Sequence, residues 1–86
     1  MPEVSRFYGI VIRQYADDHP PAHFHAHYGE FVGQVAVKTG EVLRGDLPTP
    51  QLRMVQAWAV IHQDELLQNW ERLQQHEPGQ RIAPLR

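Results

Sequence analysis

The spacing of apolar residues changes once along the chain, near Leu47. Before this point apolar and polar residues tend to alternate, as in a half-buried strand, and after it apolar residues recur every three or four positions, as in a helix. A chain of 86 residues holds one small core. We therefore predict a single α+β domain in which an antiparallel sheet of three to four strands precedes one or two C-terminal helices. It comprises a strand-rich meander (1–47), a helical part (48–77) and an irregular tail (78–86).

Segments of β-branched and aromatic composition predict the strands. They are Phe7–Tyr15, His23–Tyr28, Phe31–Lys38 and a short segment Glu41–Arg44. The second and third are joined by Gly29 and Glu30, which suit a hairpin turn. Within the second segment, Phe24, Ala26 and Tyr28 share one face and are predicted to point into the core.

The helical part has a recognisable start and end. Thr49 suits the N-cap and Pro50 the first helical position, whereas Pro78 and Gly79 end the pattern. An apolar stripe runs through Leu52, Val55, Ala59, His62, Leu66, Trp70 and Leu73. Asp64 and Glu65 suit the first turn of a second helix. The pattern therefore allows one helix or two, and it favours a break near 62–64.

Around Met54–Ile61 the helix has almost no polar face. A helix that is apolar all round is buried on more than one side. In so small a domain the second side is covered by another helix or by another protein chain. We therefore take Met54, Trp58 and Ile61 as candidate contacts with a protein partner or a second copy of the chain.

Composition excludes several function classes. The chain has no cysteine, which removes disulfides and thiolate metal sites, and its net charge of −2 does not favour nucleic acid as a primary partner. Ser5 is the only serine and lies in no nucleophile motif, and the dispersed glycines form no nucleotide-binding loop. Neither a signal peptide nor a membrane-spanning apolar run is visible. We expect a soluble cytoplasmic protein without membrane contacts.

The chemistry is concentrated in a histidine-rich segment. Four histidines fall within nine residues, at His19, His23, His25 and His27. Alternate residues on a strand lie about 6.5–7 Å apart on one face, so His23 and His25 can ligate one ion, whereas His23 and His27, about 13 Å apart, cannot both do so on a regular strand. His23 and His25 are the candidate core of a site, and His27 is peripheral.

A complete metal site needs a further ligand. The preceding turn offers His19, Asp17 and Asp18. Imidazole ligands suit a divalent transition metal such as zinc or nickel. The same histidines could instead act as an acid/base pair, or pack as ordinary structural side chains. The sequence leaves these alternatives open.

Motifs along nearly the whole chain resemble domain-of-unknown-function family 4160, a group of small prokaryotic proteins. The shared elements are 1–10, Asp18-His19, His23-Phe24-His25-Ala26, 39–43, Gly45, Leu47-Pro48, Trp58, His62, Glu65-Leu66 and 69–71. Members typically read Asp-His-x-Pro-Pro-His-Phe-His, whereas here the two prolines come one residue earlier and Ala22 precedes His23. The resemblance implies no established activity. It does imply genes that often lie beside another small uncharacterised protein, similar to toxin–antitoxin pairs.

Two functional hypotheses follow. The first is a module that works with a protein partner in a toxin–antitoxin-like pair and carries a histidine-rich surface site. The second is a hydrolase of phosphodiesters such as RNA, in which His23 and His25 are the catalytic candidates and either bind a metal with His19 or act as acid and base.

Overall fold

The computed structural model describes residues 3–86 and contains an antiparallel sheet followed by two helices. The elements are β1 (Glu3–Phe7), β2 (Ile10–Arg13), β3 (His23–Tyr28), β4 (Phe31–Ala36), β5 (Val42–Gly45), α1 (Thr49–Ile61) and α2 (Gln63–Gln74). Strand order in the sheet follows chain order, so the sheet is a meander. The predicted α+β class is confirmed, but the sheet has five strands and not three to four.

The additional strand arises because the predicted strand Phe7–Tyr15 is interrupted by a hairpin. Tyr8 and Gly9 have φ values of 49° and 79°, and Phe7 pairs with Ile10 across this two-residue turn. Turns with positive φ at both central positions match the twist of an antiparallel pair, and glycine adopts such a φ without a steric penalty. The chain therefore reverses at Gly9, and Glu3–Phe7 becomes an edge strand that the sequence pattern did not predict.

The helical part consists of two helices that meet at His62, which confirms the predicted break. His62 has φ −111° and ψ 25°, outside the helical region, and Asp64 and Glu65 lie in the first turn of α2. The predicted N-cap at Thr49 is wrong by one residue: Pro48 occupies that position and Thr49 is already helical. Proline at position 50 still fits, because amides in the first turn have no intrahelical acceptor.

The core lies between the sheet and the helices and is centred on Trp58 of α1. Its ring centroid lies 5.3 Å from that of Phe7 and 5.7 Å from that of Phe24. Phe24 and Ala26 are fully buried, and Tyr28 packs against the same cluster. The predicted core face of β3 is therefore confirmed.

The segment after α2 has no regular secondary structure, yet it is attached to the domain. The Ile82 amide donates to the Val4 carbonyl at 2.8 Å, and Ile82 is buried. Asn69 donates to the Gln80 carbonyl at 2.7 Å and accepts from its amide at 2.8 Å. Within residues 3–86, neither helix is long and apolar enough to cross a lipid bilayer.

Candidate metal-binding site

The loop between β2 and β3 brings a carboxylate onto the two histidines of β3. Asp18 Oδ2 lies 3.2 Å from His23 Nε2 and 3.0 Å from His25 Nε2. One potential ligand atom from each residue lies within 4.8 Å of the others. The two histidines share the face of β3 opposite Phe24 because side chains alternate along a strand. We call these three residues the Asp18 cluster.

The backbone determines which nitrogen of His23 faces the carboxylate. His23 Nδ1 lies 2.8 Å from the Pro21 carbonyl oxygen. Because a carbonyl oxygen only accepts, Nδ1 carries the proton, and in the neutral ring Nε2 presents a lone pair. This Nε2 is buried, faces the carboxylate and makes no hydrogen bond within residues 3–86.

Helix α2 holds both the loop and the histidine in place. Gln74 donates from its side chain to the Asp18 carbonyl oxygen at 3.2 Å. The ring of Trp70 lies 5.2 Å from that of His23, between centroids, and His23 is only 5% exposed. The ring of Tyr15 meets His25 edge-on at 4.7 Å. These contacts limit the rotamers open to both imidazoles, so the cluster is preorganised.

The other two histidines of the segment lie outside the cluster. His19 is exposed and lines an adjacent cavity. His27 lies one alternation further along β3, where burial lowers the pKa of its imidazole, with smaller contributions from the charges of Arg13 and His25. The sequence pattern did not distinguish Asp18 from the other possible ligands of the turn, Asp17 and His19.

The cavity beside the cluster has a volume of about 390 Å³. It is lined by Asp18, His19, Pro20, Pro21, His23, Gln34, Leu43 and Arg44. Leu43 and Arg44 both reach it although they are consecutive in β5. The register between β4 and β5 shifts at this point, and such bulges redirect side chains that would otherwise point to opposite faces. The peptide bond between Pro20 and Pro21, which also line the cavity, is cis.

The candidate partner-contact residues occupy different environments. Trp58 is fully buried in the core, Met54 is partly buried against it, and Ile61 is 66% exposed. Val60, beside Ile61 at the end of α1, is 77% exposed. The apolar surface that α1 leaves open thus comes from its last turn, because Trp58 faces the sheet.

The family of the chain is shown by its sequence. No curated protein and no solved structure shows significant similarity to it. Residues 9–71 match the family model described as a domain of unknown function, DUF4160, and this segment includes the whole Asp18 cluster. Because the match covers well over half of the chain, the protein belongs to the DUF4160 family.

Proposed function

We propose that the protein binds a divalent transition metal ion, zinc or nickel, through Asp18, His23 and His25. The observation that carries this proposal is the buried Nε2 of His23. This atom lies 3.2 Å from Asp18 Oδ2 and makes no hydrogen bond within residues 3–86, and two electron-rich atoms in contact are favourable only when a cation lies between them. A metal ion meets this requirement, and the nearby Nε2 of His25 supplies a further ligand.

Two of the distances within the cluster are compatible with a metal ion. Ligand atoms placed about 2.0–2.1 Å from one ion are about 2.8–3.0 Å apart when adjacent in octahedral geometry and about 3.3–3.4 Å apart in tetrahedral geometry. The separations of 3.0 and 3.2 Å from Asp18 Oδ2 to the two histidine nitrogens fall within the overall span of these values. The Pro21 carbonyl orients the His23 ring through Nδ1, as outer-shell carbonyls do for metal-bound histidines.

A proton is the alternative cation. In that case Nε2 of His23 is protonated and Asp18 joins the two imidazoles as an acid/base group. The two alternatives differ in their response to metal. His25 contacts Asp18 through a proton, which a bound metal ion displaces. Protons and metal therefore compete for the same atoms, so the metal affinity falls as the pH decreases.

Titration of the purified protein with nickel or zinc, in competition with a chelator of known affinity, tests the metal site. We expect a dissociation constant in the micromolar range or below for the wild type. In Asp18→Asn and His25→Gln the metal affinity should be lower by about 100-fold or more. His62→Gln is the matched control, because His62 lies at the junction of the two helices, pairs with Glu65 and is not part of the Asp18 cluster. Millimolar binding, or equal affinity in all variants, would refute the metal site.

Hydrolysis is a second candidate activity, because two of the three proposed ligands, Asp18 and His23, line a cavity. A metal held by three side chains keeps a position for water and lowers the pKa of that water, which generates a nucleophile near neutral pH. We expect metal-loaded protein, but not Asp18→Asn, to cleave a phosphodiester such as RNA. Cleavage that persists in chelator and is lost in His25→Gln identifies the acid/base form instead.

A role with a protein partner is supported by the exposed side chains of Val60 and Ile61, together with the resemblance described above. Adjacent exposed apolar residues are typical of contact surfaces. Sedimentation of the wild type and of Ile61→Asp tests self-association directly. Identical monomers would exclude a second copy of the chain as the partner.

A further inference from the structure

A row of polar side chains crosses the sheet at the level of the Asp18 cluster. Arg13 of β2 is paired with His25 of β3, His25 with Gln34 of β4, and Gln34 with Arg44 of β5. Directly paired residues in neighbouring strands project from the same face. Two arginines therefore flank the candidate metal ligands, one on each side.

In the part of the chain that the structure describes, neither arginine has an anionic partner. Among the ion pairs formed within residues 3–86, none involves Arg13 or Arg44. The Nε of Arg13 is also buried and makes no hydrogen bond. Asp18 is the one carboxylate in the cluster. When a divalent ion is bound, Asp18 is the one carboxylate among these residues, against that ion and two guanidinium groups, so this row of side chains carries a net positive charge.

Of these two arginines, Arg44 lines the cavity beside the cluster. Arg44, Gln34 and His19 line it together with Asp18 and His23. Its volume of about 390 Å³ lies within the range of small-molecule sites. Three side chains that can donate hydrogen bonds thus surround a space that borders two of the proposed metal ligands.

We infer that this cavity binds a phosphate group, as in a small phosphate monoester, with one oxygen on the metal and the others held by Arg44, Gln34 and His19. The inference rests on the proposed metal site and extends it to the class of ligand. A tetrahedral oxyanion is favoured over a carboxylate, because with one oxygen on the metal a phosphate monoester keeps two charged oxygens for the three donors, whereas a carboxylate keeps one.

Calorimetric titration of the nickel-loaded protein with inorganic phosphate tests this site. We expect phosphate to bind the nickel-loaded protein at least about tenfold more tightly than the metal-free protein, since a phosphate oxygen then contacts the metal ion, and linkage makes the factor the same in both directions. Phosphate should also tighten nickel binding by the same factor. Acetate serves as the carboxylate probe and should bind more weakly than phosphate.

Arg44→Gln separates the anion site from the metal site. Loss of a charged hydrogen-bond donor should weaken phosphate binding by about 10- to 100-fold, while nickel affinity in phosphate-free buffer stays within about twofold of the wild type. Arg53→Gln is the matched control, because it removes the same charge from an exposed position on α1. Circular dichroism confirms that both variants are folded.

The outcomes distinguish the two proposals. Failure of nickel to bind the wild type overturns the metal site, and the phosphate site with it. Normal nickel binding with no coupling to phosphate, or with equal phosphate affinity in Arg44→Gln and Arg53→Gln, overturns the phosphate site alone. Acetate affinity equal to or above that of phosphate overturns the choice of a tetrahedral oxyanion.

Discussion

Replacement of Trp58 by phenylalanine tests whether this side chain stabilises the domain itself or serves as a partner contact. Trp58 is fully buried and packs against Phe7 and Phe24. Its Nε1 donates to the Ala83 carbonyl oxygen at 2.8 Å, which attaches the C-terminal segment to α1. In this environment the substitution removes both core volume and a hydrogen bond.

The two losses have comparable magnitudes. The smaller ring leaves a space of roughly 40 Å³, which costs about 1 kcal/mol at 24 cal/mol per Å³. Loss of the indole donor costs about 1–2 kcal/mol, at the lower end if water reaches the Ala83 carbonyl. We therefore expect the free energy of unfolding to fall by about 2–3 kcal/mol. For a domain of this size, Tm falls by roughly 8–24 °C.

Urea denaturation followed by far-ultraviolet circular dichroism measures the change without relying on Trp58 fluorescence. Ile61→Ala is the control, because Ile61 is 66% exposed and its truncation should change stability by no more than about 0.5 kcal/mol. A Trp58→Phe variant that is as stable as the control variant, yet has lost self-association, would refute the assignment of Trp58 to the core and support the interface.

Two further predictions concern the edges of the sheet. Gly45→Ala should destabilise the domain by more than about 2 kcal/mol, because φ at this residue is +69° and the added Cβ would overlap the Val32 carbonyl oxygen. Urea denaturation measures this change, and a stability within about 0.5 kcal/mol of the wild type would contradict it. At Glu3, the hydrogen bond from Arg6, followed by the contacts with Arg81, lowers the pKa from 4.5 to about 2. A group with a lowered folded pKa contributes stability above its unfolded pKa and loses that contribution as pH falls. Glu3→Gln should therefore be less stable than the wild type above about pH 4.5 and should converge with it near pH 2; parallel stability–pH curves would argue against the ion pairs.

Local spacing predicted much of the fold. Alternation along His23–Tyr28 assigned Phe24 and Ala26 to the core, and the acidic pair after His62 predicted the break between the helices. The hairpin at Gly9 was missed, because the residues on both sides have strand composition and a single glycine was the only signal of the turn. Alternation therefore identified strand-forming residues but not the number of strands.

The site was predicted only in part. The period of two placed His23 and His25 on one face, since that relation depends only on the backbone of one strand. Asp18, and not His19, contacts the two histidines because of the conformation of the loop between β2 and β3. The contacts of this loop with other elements determine that conformation. One of these contacts is with α2, where Gln74 binds the Asp18 carbonyl from 56 residues away.

The sequence by itself determined which side chains share a face and where the period changes, because both follow from the fixed geometry of strands and helices. Only the tertiary structure decided which distant groups meet. It placed Trp70 on the ring of His23 and brought Leu43 and Arg44 together at the cavity through a shift in strand register. Such contacts depend on the packing of whole elements against one another, which residue spacing along the chain does not encode.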